Sequence, residues 1–189
     1  MKIHVANLQQ AETIAKLIMM AMTDDCCLYY AGEGKTLQDF KETMVRLVEM
    51  DDSQYSYKNT LMATSEDGEV AGICVSYDGG LLHKLRSAFI KAAKNDFGRD
   101  FSKMEDETQA GELYLDSLAV NPQFRKKGVA TALLKASIEK AKDLGLPAVG
   151  LLVDKGNPDA ERLYTQVGFK YMNDATWGGH PMKHLVYRI

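Results

Sequence analysis

Cysteine is scarce in this chain: three residues among 189, two of them neighbours at Cys26 and Cys27 and the third, Cys74, inside an apolar strand-like run. With no C-x-x-C pair, neither a disulfide scaffold nor a structural zinc site is expected. The four histidines, His4, His83, His180 and His184, show no HExxH or similar ligand spacing, so packing or surface roles are their default and no metal is expected. No apolar run is long enough to cross a bilayer and no secretory signal is seen, so the expected home is a reducing cytoplasm with no membrane partner. Charge of one sign is also lacking: 23 Lys plus Arg against 26 Asp plus Glu leave a net charge of -3, too little for a dedicated nucleic-acid or anionic-membrane binder. No internal repeat or low-complexity tract appears.

What is present is ordinary globular composition, 46% hydrophobic and 26% charged, at a length that suits one hydrophobic core. One domain over residues 1–189 is expected. Lys2 to Ala6 reads as a short strand, and Leu8, Ile14, Leu17, Ile18 and Met22 follow at helical spacing. Thr36 to Met50 is a second amphipathic helix with Phe40, Met44, Leu47 and Val48 on one stripe. Asn59 to Ser65 and Glu69 to Tyr77 flank Asp67-Gly68 and predict an antiparallel hairpin. Residues 80–108 read as a helical insertion ending in a loop. Glu112 to Val120, Gly128 to Leu144 and Ala148 to Val153 then form a strand–helix–strand unit, with Gly145 and Pro147 stopping the helix. A helix from Pro158 to Val167 and two strands, Phe169–Asn173 and Met182–Ile189, close the chain around Trp177-Gly178-Gly179. The class is α/β (α+β).

Chemistry concentrates after the strand at 112–120, where Arg125-Lys-Lys-Gly-Val-Ala-Thr131 opens a helix. A helix start carries unpaired N–H groups and partial positive charge, so this turn can cradle a phosphate. Gly128 keeps the backbone free of an obstructing Cβ, Ala130 keeps the first turn open, and Arg125, Lys126 and Lys127 add charge; a solvated basic face is the plainer reading of that triplet. Downstream, Asn157 suits an N-cap, Pro158 the first helical position and Gly168 the position past the end, and Asn157 and Tyr164 share a helix face.

Together these segments resemble the GNAT superfamily of acyl-CoA-dependent N-acetyltransferases. Its pyrophosphate loop, Q/R-x-x-G-x-G/A, is similar to Arg125-Lys-Lys-Gly128-Val-Ala130, and its N-x-x-A-x-x-x-Y-x-x-x-G-F pattern to Asn157, Ala160, Tyr164, Gly168 and Phe169. Close likeness covers roughly residues 112–175; the first half agrees only in element order. The resemblance implies a mixed, mainly antiparallel central sheet flanked by helices, with splayed parallel strands at the cofactor site. It implies acetyl-CoA as cosubstrate, with Leu118, Ala119 and Val120 pairing with the pantetheine amides. Arg125, Lys126, Lys127, Gly128, Val129, Ala130 and Thr131 would hold the pyrophosphate, and Asn157 and Ala160 would lie along the pantetheine arm. Tyr164 would protonate the departing thiolate, although it also belongs to a packing stripe with Ala160, Leu163 and Val167.

Such a site acetylates a primary amine by direct attack, and an ammonium must first lose a proton, so a base or a water wire is needed. Strand parity puts Glu112, Tyr114, Asp116 and Leu118 on one face and Leu113, Leu115, Ser117 and Ala119 on the other, making Glu112 and Asp116 the candidates. Each also has a plain structural reading, Asp116 as a hydrogen-bonding group in a crowded sheet and Glu112 as an exposed strand end.

Three other readings compete. A non-catalytic acyl-CoA-sensing module would keep the loop but need neither acid nor base. Gly34-Lys35-Thr36 matches the end of a phosphate loop, but the first required glycine is Tyr29 and no buried strand precedes it, so a turn capped by Thr36 is the better reading. DNA binding through Arg125-Lys-Lys lacks interleaved aromatics. The acceptor is not legible: residues 80–108, Asp24 to Thr36 and Thr176 to Lys183 are the segments expected to line its pocket, and the tract Glu105-Asp106-Glu107 reads by default as a solvated loop. GNAT proteins are often homodimers, and Met182–Ile189 would offer an edge for pairing.

Overall fold

A computed structural model describes all residues, 1–189. Seven strands form one sheet: β1 (Lys2–Val5), β2 (Thr60–Thr64), β3 (Val70–Asp78), β4 (Leu113–Val120), β5 (Ala148–Asp154), β6 (Lys170–Trp177) and β7 (His180–Arg188), in the order β1-β2-β3-β4-β5-β7-β6. Every neighbouring pair is antiparallel except β4–β5. The final strand is therefore interior, between β5 and β6, and the expected edge at Met182–Ile189 is corrected: the edges are β1 and β6. The long C-terminal hairpin turns at Gly178 and Gly179, whose φ of 57° and 78° suit the turn hand that right-twisted strands prefer.

Helices cover both faces. On one lie α1 (Ala11–Met22), α2 (Asp24–Ala31), α3 (Leu37–Glu49) and α4 (Leu82–Phe97), whose apolar stripes bury Ile14, Ile18, Phe40, Met44 and Phe89 against Met62, Ile73 and Val75. On the other lie α5 (Val129–Asp143) and α6 (Pro158–Val167), burying Leu133, Leu134 and Ile138 against Leu113, Leu115, Val149 and Leu151. Lys140 of α5 reaches the sheet, its Nζ donating to the Ser76 carbonyl at 2.7 Å; burial lowers its pKa to about 8.

The stretch Asp24–Ala31, read from sequence only as a segment without a strand, is a helix whose Thr23 side chain caps it and which buries Cys27, Tyr30 and Ala31. Because a helix precedes it, Gly34-Lys35-Thr36 is no phosphate loop. Thr36 instead caps α3, its Oγ1 accepting from the Asp39 amide at 3.1 Å while the Asp39 carboxylate accepts from the Thr36 amide at 2.8 Å. All three cysteines are free, and burial pushes the Cys27 thiol up to about 12 and Cys74 to about 11, so both stay protonated.

Candidate active site

The β4–β5 pair is joined only at Leu113↔Val149 and Tyr114↔Gly150. Beyond that point the two parallel strands diverge, and β4 from Leu115 to Val120 keeps a partner on its β3 side alone. Past Tyr114 the β5-facing main-chain groups of β4 have no strand partner and fit a polar chain laid along them; the Val120 carbonyl accepts from Arg125 Nε at 3.4 Å.

At the end of this edge, the loop before α5 is shaped for an anion. Lys126 and Gly128 take left-handed conformations at φ 59° and 79°, and no side chain caps α5. The N–H groups from Lys126 to Thr131 have no backbone acceptor, since the first α5 bond from this region is donated by Ala132 to Gly128. No acidic residue lies in the first turn. Such a run of free donors at a helix start, with Arg125, Lys126 and Lys127 exposed around it, fits a phosphate or pyrophosphate. A Cβ at Gly128 meets no protein atom, so glycine is required there by its positive φ rather than by a neighbour within the chain.

Strand parity fails along β4. Ser76 pairs with Leu115 and Val75 with Ser117, leaving Asp116 as the extra residue of a bulge. Past it the faces exchange: Leu118 and Val120 join Leu113 and Leu115 on the α5 side, while Ala119 joins the core on the α1 side. Leu118 is thus not on the Tyr114 face, contrary to simple alternation. Asp116, partly exposed, is the bulged residue two positions past the last β4–β5 pair; Gln54 Nε2 donates to its Oδ2 at 3.1 Å and Ser117 Oγ to its Oδ1 at 2.8 Å. Burial raises its pKa, against the pull of those two bonds and of Arg86.

Glu112, the other carboxylate candidate, is no exposed strand end. It is 3% exposed; Thr108 Oγ1 donates to Oε1 at 2.6 Å and His184 Nε2 lies 2.9 Å from Oε2, with Asn173 Oδ1 3.3 Å from the other ring nitrogen. Its side chain crosses Gly150, where a Cβ would overlap the carboxylate. This locked geometry fits a structural tie between β4, β5 and β7, and leaves Glu112 no oxygen without a partner.

Tyr164 lies on the opposite face from Asp116. Its ring packs against Phe169 at 6.1 Å, in the same apolar cluster that Leu118 and Val120 join, and burial pushes its phenol up to about 12. Asn157 caps α6 through Oδ1, accepting from the Ala160 amide at 3.2 Å, and Gly168 closes the helix in the left-handed region, as their spacing predicts.

Sequence reasoning missed a buried charge cluster. Arg86 of α4 is 2% exposed, ion-paired with Glu107 and Asp106, and its guanidinium lies 5.7 Å from the Trp177 ring. Glu107 is 5% exposed rather than part of a solvated loop, and Tyr77 Oη donates to it at 3.2 Å. Burial, reinforced by the charge of Asp116 and opposed by Arg86, pushes Glu107 up to about 7. Two buried polar atoms lack partners, Gln54 Oε1 and Arg86 Nε. Beside the cluster opens a cavity of about 570 Å³ lined by Tyr29, Tyr30, Phe101, Met104, Glu105 and Trp177, among others. It gathers all three segments expected to line an acceptor pocket.

The fold and these features define an acyltransferase of the acyl-CoA-dependent kind. A family profile described as "Acetyltransferase (GNAT) family" matches residues 33–169. The chain belongs to that family. A solved structure titled "The crystal structure of acetyltransferase" superposes with a TM-score of 0.83 at 30% identity, over 100% of this chain and 99% of that one. An N-acetyltransferase from Staphylococcus aureus Mu50 gives the same TM-score at 22% identity, over 99% and 100%, and shares the fold. Among curated proteins, mycothiol acetyltransferase of Propionibacterium freudenreichii is 38% identical over 69 residues, 36% of this chain and 22% of that protein. The ribosomal protein bS18-alanine N-acetyltransferase of Haemophilus ducreyi is 38% identical over 63 residues, 33% and 43%. Less than half the length of either curated relative is therefore matched. No helix is long and apolar enough to cross a membrane.

Proposed function

We propose that residues 1–189 are a single N-acetyltransferase domain, cytoplasmic in keeping with three free thiols, that moves the acetyl group of acetyl-CoA to a primary amine by direct attack. The observation carrying this reading is the β4–β5 gap, bounded by free α5 amides at one end and by Asp116 and Tyr164 on its two faces. Acetyl-CoA supplies an activated thioester carbonyl. Leu118, Ala119 and Val120 align its pantetheine arm through main-chain pairing; the loop from Arg125 to Thr131 binds its pyrophosphate; Asn157 and Ala160 lie along the arm.

The amine arrives from the cavity side, where Asp116 is the partly exposed carboxylate and accepts its proton, directly or through water. A raised pKa brings Asp116 nearer the range in which a base works at neutral pH. Tyr164, held protonated by burial, donates to the leaving sulfur from the opposite face. Both carboxylates have both oxygens hydrogen-bonded, but Glu112 is 3% exposed whereas Asp116 is partly exposed, so of the two Asp116 is assigned the base role. An acyl-CoA sensor would not require a carboxylate and a phenol on opposite faces of one gap. The test is acetyl-CoA-dependent thiol release with a panel of primary amines: release requiring both substrates supports the transferase, and binding of acetyl-CoA without release on any amine favours the sensor.

A further inference from the structure

Arg86 and Glu107 lie between β3 and β4 in sequence, on α4 and the loop after it, and belong to no motif of the cofactor site. The guanidinium of Arg86 is the cation facing two carboxylates, Glu107 in direct contact and Asp116 nearby. Its third carboxylate partner, Asp106, is half exposed and is shared with His83 at 3.1 Å. Asp116 is held by Gln54 and Ser117 and by no ion pair, so it is the carboxylate of the cluster without a cation in contact. Gln54, 3% exposed, anchors its amide nitrogen on Asp116 and leaves Oε1 buried without a donor. Glu107 has both oxygens engaged, by Tyr77 and by Arg86, so the shortages are a cation for Asp116 and a donor for Gln54 Oε1. An ammonium, with three N–H donors and a positive charge, is the group that satisfies both shortages.

We propose that this cluster is the recognition site for the acceptor's ammonium, and that the acceptor is a singly charged primary amine carried on an aromatic or apolar body. The body is assigned by the adjoining cavity. Tyr29, Tyr30, Phe101, Met104 and Trp177 supply ring faces and a thioether, and Trp177 and Met104 also touch Arg86, so cavity and cluster share a wall. A second ammonium on the acceptor is disfavoured because Asp100 and Glu105 in the walls are offset by Arg99 and Lys103, neither of which has a carboxylate partner. A carboxylate next to the amine is disfavoured by Asp116 and Glu107. This inference rests on the transferase reading and names its substrate class.

The test is calorimetric titration of the CoA-saturated protein with 2-phenylethylamine and with uncharged 2-phenylethanol, followed by acetyl-transfer kinetics with 2-phenylethylamine, spermidine and L-phenylalanine. The amine is expected to bind about tenfold or more tightly than the alcohol, since a hydrogen bond to a charged group is worth that much. It is also expected to exceed both other acceptors about tenfold in kcat/KM. Gln54→Leu should raise KM for 2-phenylethylamine about tenfold with KM for acetyl-CoA within about twofold of wild type, and Asp116→Asn, which also removes the base, should weaken calorimetric binding of 2-phenylethylamine about tenfold. Equal binding of amine and alcohol, or no binding of either, overturns the proposal, as does a preference for spermidine. Preference for L-phenylalanine overturns it in favour of Arg86 Nε as the receiving group. Amine binding as described with no acetyl transfer upholds the recognition site and overturns the transferase reading instead.

Discussion

Gly150→Ala is the smallest change expected to break the frame of the site. A methyl group there would meet Glu112 Oε1 at 2.8 Å, with Cδ and Oε2 closer still, so the carboxylate must leave its place. Glu112 then loses its bonds to Thr108 and His184, at 2.6 and 2.9 Å, inside a site where it is 3% exposed. Hydrogen bonds to a buried charged group are worth about 1.5–3 kcal/mol each, and crowding a packed site costs about 1–3 kcal/mol. Some rebonding after displacement is expected, so the net loss is about 4 kcal/mol. For a chain of this size each kcal/mol moves Tm by about 2–4 °C, giving a fall of roughly 12 °C. In a Glu112→Ala background the obstacle is gone, and alanine is intrinsically better than glycine in a strand by about 0.5–1 kcal/mol, so the same substitution should cost nothing. Urea and thermal unfolding followed by far-ultraviolet circular dichroism on the four proteins of this cycle give the coupling directly. A Tm within about 3 °C of wild type for Gly150→Ala, or additivity within about 0.5 kcal/mol, would refute the reasoning.

Other outcomes follow from the same geometry. Tyr164→Phe should lower kcat about tenfold or more while leaving acetyl-CoA affinity nearly unchanged, read by steady-state kinetics and calorimetry; a wild-type rate would remove the acid role. The raised pKa of Glu107 means the folded chain holds a proton between pH 4.5 and about 7 that the unfolded chain releases. Its contribution to stability is therefore present in full below pH 4.5 and lost as pH rises through 7, about 3 kcal/mol across that window. Glu107→Gln should flatten the urea-derived stability profile between pH 5 and 8, and an unchanged slope would contradict the assignment. Phe169→Ala removes a ring 1% exposed and wedged between Tyr164 and Tyr187, and should cost about 3–5 kcal/mol on unfolding.

Local signals carried much of this fold. The cap, proline and glycine around 157–168 fix α6 to the residue, and Asp67-Gly68 fixes the β2–β3 hairpin, because each is a short-range requirement on backbone conformation. The basic loop was legible for the same reason. Asp116 was legible as a residue type on the right strand, but its bulge was not: which residue is extra depends on the partner strand, and that one residue reversed the facing of Leu118. Glu107 was misread because its burial depends on Arg86, 21 positions upstream, and a run of three acidic residues looks solvated until a buried guanidinium is found for it. Arg86 left one trace, a charge directly after Leu85 in an otherwise apolar helical stripe. The helix Asp24–Ala31 was missed because it is eight residues long and buries only three of them.

The proposed function stands on free amides at the start of α5 holding the pyrophosphate of acetyl-CoA. Calorimetric titration of acetyl-CoA into wild type and Gly128→Asp tests it most directly, because the aspartate puts negative charge and a Cβ at φ 79° into the cradle. Binding by wild type and a loss of about tenfold or more in the variant are expected, with unfolding stability lowered by no more than the strain of one left-handed residue, about 1 kcal/mol. Equal affinity in the two proteins, or no binding by wild type, would contradict it.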